Sequence, residues 1–239
     1  MIAMDNIHQI LISDVDDITS HTPSATASIM KYFDAKRYKY SLWTKESIRT
    51  FIGDNFDPEV LAAYDKLKPY AYKADLARYC IVYILGGWYV DINIKMIDVP
   101  PNPAGFDMCL IRDYNNGTRM APWQLANGFF YAKPKHPALL NAINMVVQHT
   151  KDLYYGKRTL SVSGPELFGS AIAKLGWDEE LNTNYLIGDF TDNQSLNRKQ
   201  FVFNNKAVAL HKQSLGGDVG VKGTNNYVEM WHNRDIYNR

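Results

Sequence analysis

Ala71-Tyr72-Lys73-Ala74-Asp75-Leu76-Ala77-Arg78-Tyr79-Cys80, continuing through Ile81-Val82-Tyr83-Ile84-Leu85-Gly86-Gly87-Trp88-Tyr89-Val90 to Asp91-Ile92-Asn93, carries more information than any other part of the chain. Pro69 breaks a preceding helix, and the spacing predicts a new one from about Lys73 to Leu85, stopped by Gly86-Gly87. Leu76, Cys80, Tyr83 and Ile84 share one face of that helix, and Asp75, Arg78 and Tyr79 share another. An arginine in the first turn opposes the helix dipole unless an anion stands in front of it, either a bound phosphate or the carboxylate of Asp75. The blander reading is that Asp75 caps the helix and forms an exposed pair with Arg78. The two glycines then turn the chain into a strand, Trp88 to Val90, which delivers Asp91 and Asn93 at its carboxyl end. Alternation along an extended segment would aim both side chains at one spot.

Outward from this block, strands and helices alternate. Ile7 to Ile12 reads as a first strand closed by the acidic turn Asp14-Val15-Asp16-Asp17, which lacks the glycine and distant glutamate of an EF-hand and reads as solvated. A helix follows from Ser24 to about Asp34. A strand from Tyr38 to Trp43 ends at Thr44, a helix cap, and a further helix covers about Asp57 to Leu67. Downstream, Ile94 to Val99, Asp107 to Arg112 and Gly128 to Ala132 read as extended, and His136 to about Thr150 as an amphipathic helix. Ser163-Gly164-Pro165-Glu166 has the chemistry of a helix start, with a sugar contact as the alternative. The last forty residues read as short strands and a Gly/Asn-rich loop, Ser214 to Asn226, before Tyr227, Trp231 and Tyr237. This order predicts an α/β layered single domain, 1–239, with a mostly parallel central sheet flanked by helices. Residues 1–100 are expected to hold the ligand-binding part and 101–239 the acceptor-side and closing part.

Composition narrows the function. The 239 residues are 46% hydrophobic and 21% charged, as in an ordinary globular domain. Lys plus Arg number 26 against 25 Asp plus Glu, with no basic stripe, so no nucleic-acid partner is expected. Cys80 and Cys109 each sit in an apolar run, as reduced core thiols would. The opening residues lack the pattern of a signal peptide, and no window approaches the roughly 20 apolar residues of a membrane helix. A soluble, cytoplasmic protein is the expectation.

The donor atoms around Asp91 and Asn93 are oxygens, without thiols or paired histidines, which suits Mn²⁺ or Mg²⁺ better than zinc. Departure of a nucleotide diphosphate builds negative charge that a hard divalent cation can neutralise. The block from Lys73 to Asn93 resembles the core motif of glycosyltransferase family 32, the sugar transferases related to the glucosylating clostridial toxins. Ile7-His8-Gln9-Ile10, Leu42-Trp43, Asn127, His136-Pro137, Ser163-Gly164-Pro165 and His211 follow in the family's order.

This resemblance implies a GT-A (Rossmann-like) fold and transfer of a sugar from a nucleotide-sugar donor, a UDP-sugar favoured, with retention of configuration. Trp43 matches the position that stacks on the nucleobase, Asp75 and Arg78 those that contact donor sugar and phosphate, and Tyr89 and Asp91 positions beside the nucleotide. Asn93 stands where the family usually has a second aspartate on the metal, and His211 resembles the late histidine that completes the metal site, with a structural histidine as the alternative. Trp231 and His232 are a candidate lid over the diphosphate, or Trp231 packs on the core. The acceptor expected by analogy is a glycan or lipid-linked glycan of surface polysaccharide synthesis, met at the inner membrane face by peripheral association. Two other classes stay open: a non-catalytic nucleotide-sugar or glycan-binding protein, for which Asn93 is the motive, and a nucleotidyltransferase, disfavoured because no glycine-rich phosphate loop follows the first strand.

Overall fold

The computed structural model describes residues 5–14, 24–113, 121–175, 183–193, 196, 198–211 and 225–239. Among the described residues nine strands form one sheet: β1 (Asp5–Ile10), β2 (Tyr38–Trp43), β3 (Gly87–Val90), β4 (Ile94–Met96), β5 (Met108–Arg112), β6 (Phe129–Ala132), β7 (Tyr185–Asn193), β8 (Arg198–Phe203) and β9 (Lys206–His211), in the order β2-β1-β3-β6-β5-β7-β8-β9-β4. The helices are α1 (Ser24–Tyr32), α2 (Lys45–Asn55), α3 (Pro58–Lys66), α4 (Tyr70–Leu85), α5 (Pro137–Lys151), α6 (Pro165–Ala173) and α7 (Tyr227–His232).

The α/β single domain expected from the alternation is present, but its sheet is mixed rather than mostly parallel. Among the described residues, β1–β2, β1–β3 and β5–β7 pair parallel. The pairs β3–β6, β5–β6, β7–β8, β8–β9 and β4–β9 are antiparallel. A parallel pair needs a crossover, which α1 supplies between β1 and β2 and the stretch through β6, α5 and α6 supplies between β5 and β7. Later strands return directly: β8 and β9 are joined by Asn204-Asn205, both at positive φ (49° and 62°), the backbone of a tight two-residue hairpin.

Side chains alternate between two cores. Tyr89, Phe130, Ala132, Met108 and Leu110 enter the larger one with α2 to α6, while Trp88, Val90, Phe129, Tyr131, Cys109 and Ile111 enter the other with Ile29 of α1. Both faces of the central strands are thus covered, which is why they read as continuous apolar runs. Local signals hold where they were strongest. Thr44 forms a reciprocal capping box with Ser47 at α2, and Pro165 sits in the first turn of α6. Gly86 (φ 63°) ends α4, and a Cβ on Gly87 (φ 104°) would lie 2.3 Å from the carbonyl oxygen of Asn6, so this turn accepts no side chain where β3 enters beside β1. Asp16 and Asp17 lie outside the described residues, as does most of the 214–226 loop.

Candidate active site

A cleft of about 770 Å³ opens at the carboxyl ends of β1 and β3 and is walled by α4, the Asp91–Asn93 turn and residues of β7 to β9. Asp75, Arg78, Tyr89, Asp91, Asn93 and His211 all line it.

Helix α4 begins at Tyr70, three residues earlier than its sequence suggests, with Pro69 as its N-cap. Arg78 therefore stands in mid-helix, where the dipole argument does not apply. Nor does Asp75 cap the helix: it is 7% exposed and Arg78 5%, so the exposed-pair reading is excluded. Two buried charges demand compensation. The Arg78 guanidinium lies 3.2 Å from Asp75 Oδ1 and 3.2 Å from Asp91 Oδ1, and donates to the carbonyls of Ala74 (3.1 Å) and Asn127 (2.9 Å). It also lies over the Tyr89 ring, 4.6 Å from the centroid. Burial works against its charge, but Asp91, Tyr89 and Asp75 outweigh it and hold Arg78 above its ordinary pKa. Asp75 accepts from Asn127 Nδ2 and Ser163 Oγ, both at 2.8 Å, and Asn127 also donates to the Tyr79 hydroxyl. Burial pushes the Asp75 carboxyl up, and Arg78 and Ser163 pull against it.

Asp91 is held differently. Tyr89, on the same side two residues back, donates its hydroxyl to Asp91 Oδ1 at 2.8 Å. The Asp91 amide donates to the carbonyl of Gly128 (2.7 Å), and a Cβ on Gly128 would come within 2.7 Å of Asp91 Oδ2, so a glycine is what admits the carboxylate here. Its side chain keeps 37% exposure, toward the cleft. The expectation that strand alternation aligns Asp91 and Asn93 is corrected. β3 ends at Val90, and Asp91-Ile92-Asn93 is a turn closed by Ile94 N–H to Asp91 C=O at 2.9 Å. The turn carries the chain from the sheet centre to its edge, where Ile94 of β4 pairs with His211, the last residue of β9. That pairing brings His211 to the same cleft as Asp91 and Asn93.

The donor set can be tested against a divalent cation on the molecule itself. Asn93 Oδ1 is buried and has no hydrogen-bond partner among the described residues, a costly state for a carbonyl that a cation would relieve. No cluster of three or more His, Cys, Asp or Glu exists among the described residues, as follows from Asn in place of Asp. Asp91, the Asn93 carbonyl and His211 fit Mn²⁺ or Mg²⁺ as a low-charge site that leaves ligand positions to a donor.

Trp43 is not among the residues that line the cleft. It ends β2 beside Ile10, packs edge-on to Phe51 at 4.9 Å and donates its indole N–H to His8 Nδ1 at 3.2 Å. His8, fully buried, uses Nε2 toward the carbonyl of Gly86 at 3.0 Å. Both contacts suit the neutral ring, and burial pushes its pKa down to about 4. Trp231 likewise packs on the core, its indole N–H on the carbonyl of Tyr155 at 2.7 Å; Asn225, Asn226 and Tyr227 line the cleft instead, Tyr227 lying 5.8 Å from the Tyr72 ring. The sequence reading assigned no role to Gly128, Asp113 or Phe190, which also line the cleft.

Residues 19–105 match the family described as a glycosyltransferase sugar-binding region containing a DXD motif. Over 88 residues the chain is 41% identical to an uncharacterized glycosyltransferase of Acanthamoeba polyphaga mimivirus, covering 37% of this chain and 34% of that protein. Over 138 residues it is 29% identical to inositol phosphoceramide mannosyltransferase 3 of Schizosaccharomyces pombe, covering 56% of this chain and 36% of that protein. The chain thus spans about a third of the length of these curated relatives. The solved PaToxG glycosyltransferase superposes with a TM-score of 0.51 at 18% identity over 74% of this chain and 72% of that one, a likeness of fold that places the domain in the GT-A type. Among the described residues no helix is long and apolar enough to cross a membrane.

Proposed function

We propose, from the match of residues 19–105 to the DXD-containing glycosyltransferase sugar-binding region and the likeness to glycosyltransferases in sequence and fold, that this chain is a family-32-like glycosyltransferase that transfers a hexosyl group from a nucleotide-diphosphate sugar to a hydroxyl of a glycan or lipid-linked acceptor, with retention of configuration. The observation that carries this reading is the Asp75–Arg78–Asp91 cluster, two buried charges tied to a carboxylate that faces an open cleft. Two buried ionic groups joined to a third that faces the cleft stabilise a fold less well than apolar packing would, and such groups cluster where charge must be held in place. The mannosyltransferase names of relatives support a hexosyl donor.

In this reading the first turn of α4, with Tyr70, Ala71 and Tyr72 in the cleft wall, faces the diphosphate, where a helix N-terminus favours anions. Asp91, Asn93 and His211 would hold Mn²⁺ or Mg²⁺, which when bound supplies positive charge against the leaving diphosphate. Arg78 fixes the carboxylate of Asp91 and adds a permanent positive charge beneath it. Asp75, pinned by Asn127 and Ser163, orients Arg78 and presents a carboxylate edge to donor hydroxyls. The acceptor hydroxyl attacks the anomeric carbon on the face the diphosphate leaves, and its proton passes to the departing diphosphate oxygen. Tyr227, with Asn225 and Asn226, covers the cleft against water.

A panel of radiolabelled UDP- and GDP-hexoses, assayed for release of free sugar and for transfer with Mn²⁺ or Mg²⁺ present, tests the reading. Metal-dependent release from at least one donor is expected. Tight nucleotide binding without release or transfer from any donor would instead establish the non-catalytic binding protein that Asn93 suggests.

A further inference from the structure

Beyond the donor groups, the cleft holds a carboxylate and an aromatic ring placed side by side. β5 and β7 are parallel neighbours with Arg112 opposite Asp189, so continuing that register by one residue sets Asp113, just past the end of β5, beside Phe190 within β7. Both line the cleft that holds Asp75, Arg78 and Asp91. The Phe190 ring is fixed from behind: it stacks on its cross-strand partner Phe201 at 4.7 Å and 25°, and stands edge-on to His211 at 5.4 Å and 62°. Phe201 is itself buried at 3% exposure, so the pair is a rigid wall rather than a mobile side chain. Asp113 is fixed as well, its amide donating to the Gln124 carbonyl at 3.1 Å and its Oδ2 accepting from Gln124 Nε2 at 2.5 Å. The Gln124 amide takes one of the roughly four lone-pair sites of the carboxylate.

We propose that Asp113 and Phe190 form the acceptor subsite and that it takes an uncharged six-membered polyol ring, a pyranose or a cyclitol. Such a ring has one chemistry on its faces and another on its rim. Its axial C–H bonds make an apolar face that packs on an aromatic ring, and its equatorial hydroxyls donate in the ring plane to a carboxylate. Phe190 supplies the first contact and Asp113 the second. The negative charge of Asp113 selects against anionic rings such as uronates or inositol phosphates ionised at that edge. A ring stacked on Phe190 would lie beside His211, in the same cleft as Asp75, Arg78 and Asp91.

The inference rests on the transferase reading, and the experiment separates the two. Saturation-transfer-difference NMR on the full chain, with methyl α-D-mannopyranoside, methyl α-D-glucopyranoside, myo-inositol and glucuronate as probes, reads the subsite directly. Donor hydrolysis and transfer to the same probes read the chemistry. The neutral rings are expected to show saturation transfer and glucuronate little. Phe190→Ala and Asp113→Asn should each weaken the neutral-ring contact and raise acceptor KM about tenfold, with donor hydrolysis within about twofold of the parent. Phe190→Tyr should restore acceptor KM, and it keeps the test alive if the alanine variant fails to fold. An unchanged acceptor KM in Asp113→Asn and Phe190→Ala, or an equal loss of donor hydrolysis, would overturn the assignment. So would absent saturation transfer from every ring while the donor is hydrolysed. If no donor is hydrolysed, the transferase reading fails, and saturation transfer from the neutral rings that disappears in Phe190→Ala still supports the subsite.

Discussion

Asn93→Asp changes the charge of the proposed cation site by one unit without changing its shape. In the parent chain Asp75 and Asp91 share Arg78, at 3.2 Å each, so the cluster carries a net charge of −1, and Asn93 adds a neutral carbonyl. The variant raises that to −2. A unit negative charge about 4 Å from a divalent cation interacts by about 2 kcal/mol in water and about 8 kcal/mol at an effective dielectric of 20. Desolvation of the new carboxylate and its repulsion by Asp91 take back most of the larger figure. A net gain of about 1.4 to 2.8 kcal/mol remains, a ten- to hundredfold fall in Mn²⁺ Kd. Electron paramagnetic resonance of Mn²⁺ titrated into the protein, with and without UDP or GDP, measures it. The parent should bind Mn²⁺ weakly alone and much more tightly once a diphosphate supplies the missing charge. The variant should bind well alone, with a smaller gain from the diphosphate and slower product release. A folded Asn93→Asp with unchanged Mn²⁺ affinity, or a parent whose affinity ignores the diphosphate, would refute the assignment of Asp91, Asn93 and His211 to one cation.

Other outcomes follow from the same geometry. Gly128→Ala places a Cβ 2.7 Å from Asp91 Oδ2 with no φ penalty, so thermal melting should change little while nucleotide-dependent Mn²⁺ affinity drops at least about tenfold. Asp75→Ala removes the acceptor of Asn127 and Ser163 and leaves Arg78 to Asp91 alone, which should cost about 3 to 5 kcal/mol in urea unfolding. Because His8 has its pKa lowered from 6.5 to about 4 in the fold, its stabilisation is complete above pH 6.5 and is lost as pH falls toward 4. The urea-derived stability should fall by about 2 kcal/mol more between pH 7.5 and 5.0 in the parent than in His8→Gln, and equal falls would exclude His8 as the titrating group. Trp43→Phe removes the indole donor to His8 but not a cleft wall, so it should lower stability by about 1 kcal/mol and leave nucleotide Kd unchanged; a weakened Kd would return Trp43 to the base.

The parts of the fold legible in the sequence were those set by local rules. Tyr38–Trp43 was bounded by its own periodicity and by Thr44, and Gly86-Gly87 marked the end of α4 because no other residue survives beside Asn6. The sheet's mixed direction was not legible, since alternating strands and helices predict parallel pairing only when each helix is a crossover. Asn204-Asn205 was the local sign of an antiparallel return, and β5 and β6 are linked by a stretch with no helix among its described residues. The start of α4 was missed by three residues because Tyr70 to Tyr72 is aromatic and apolar all round, without a capping side chain after Pro69.

In the site, the same division decides which residues could be read. Asp91 and Asn93 were visible because a short turn holds both, although the turn and not strand alternation aims them. Asp75 and Arg78 were visible as a pair, but whether they were an exposed cap or a buried switch of charge depended on Asn127 and Ser163, 52 and 88 residues away from Asp75. Asn127 and Ser163 matter because a buried carboxylate without donors would take up a proton, and a protonated Asp75 would release Arg78 to Asp91 alone. Asp91 would then be neutralised one-to-one, the cluster would lose its net negative charge, and the Asn93 carbonyl and His211 would be left to attract a cation unaided. The two distant donors therefore set the charge that the proposed cation site would see, which is a property of the folded contacts rather than of the Asp-Ile-Asn motif.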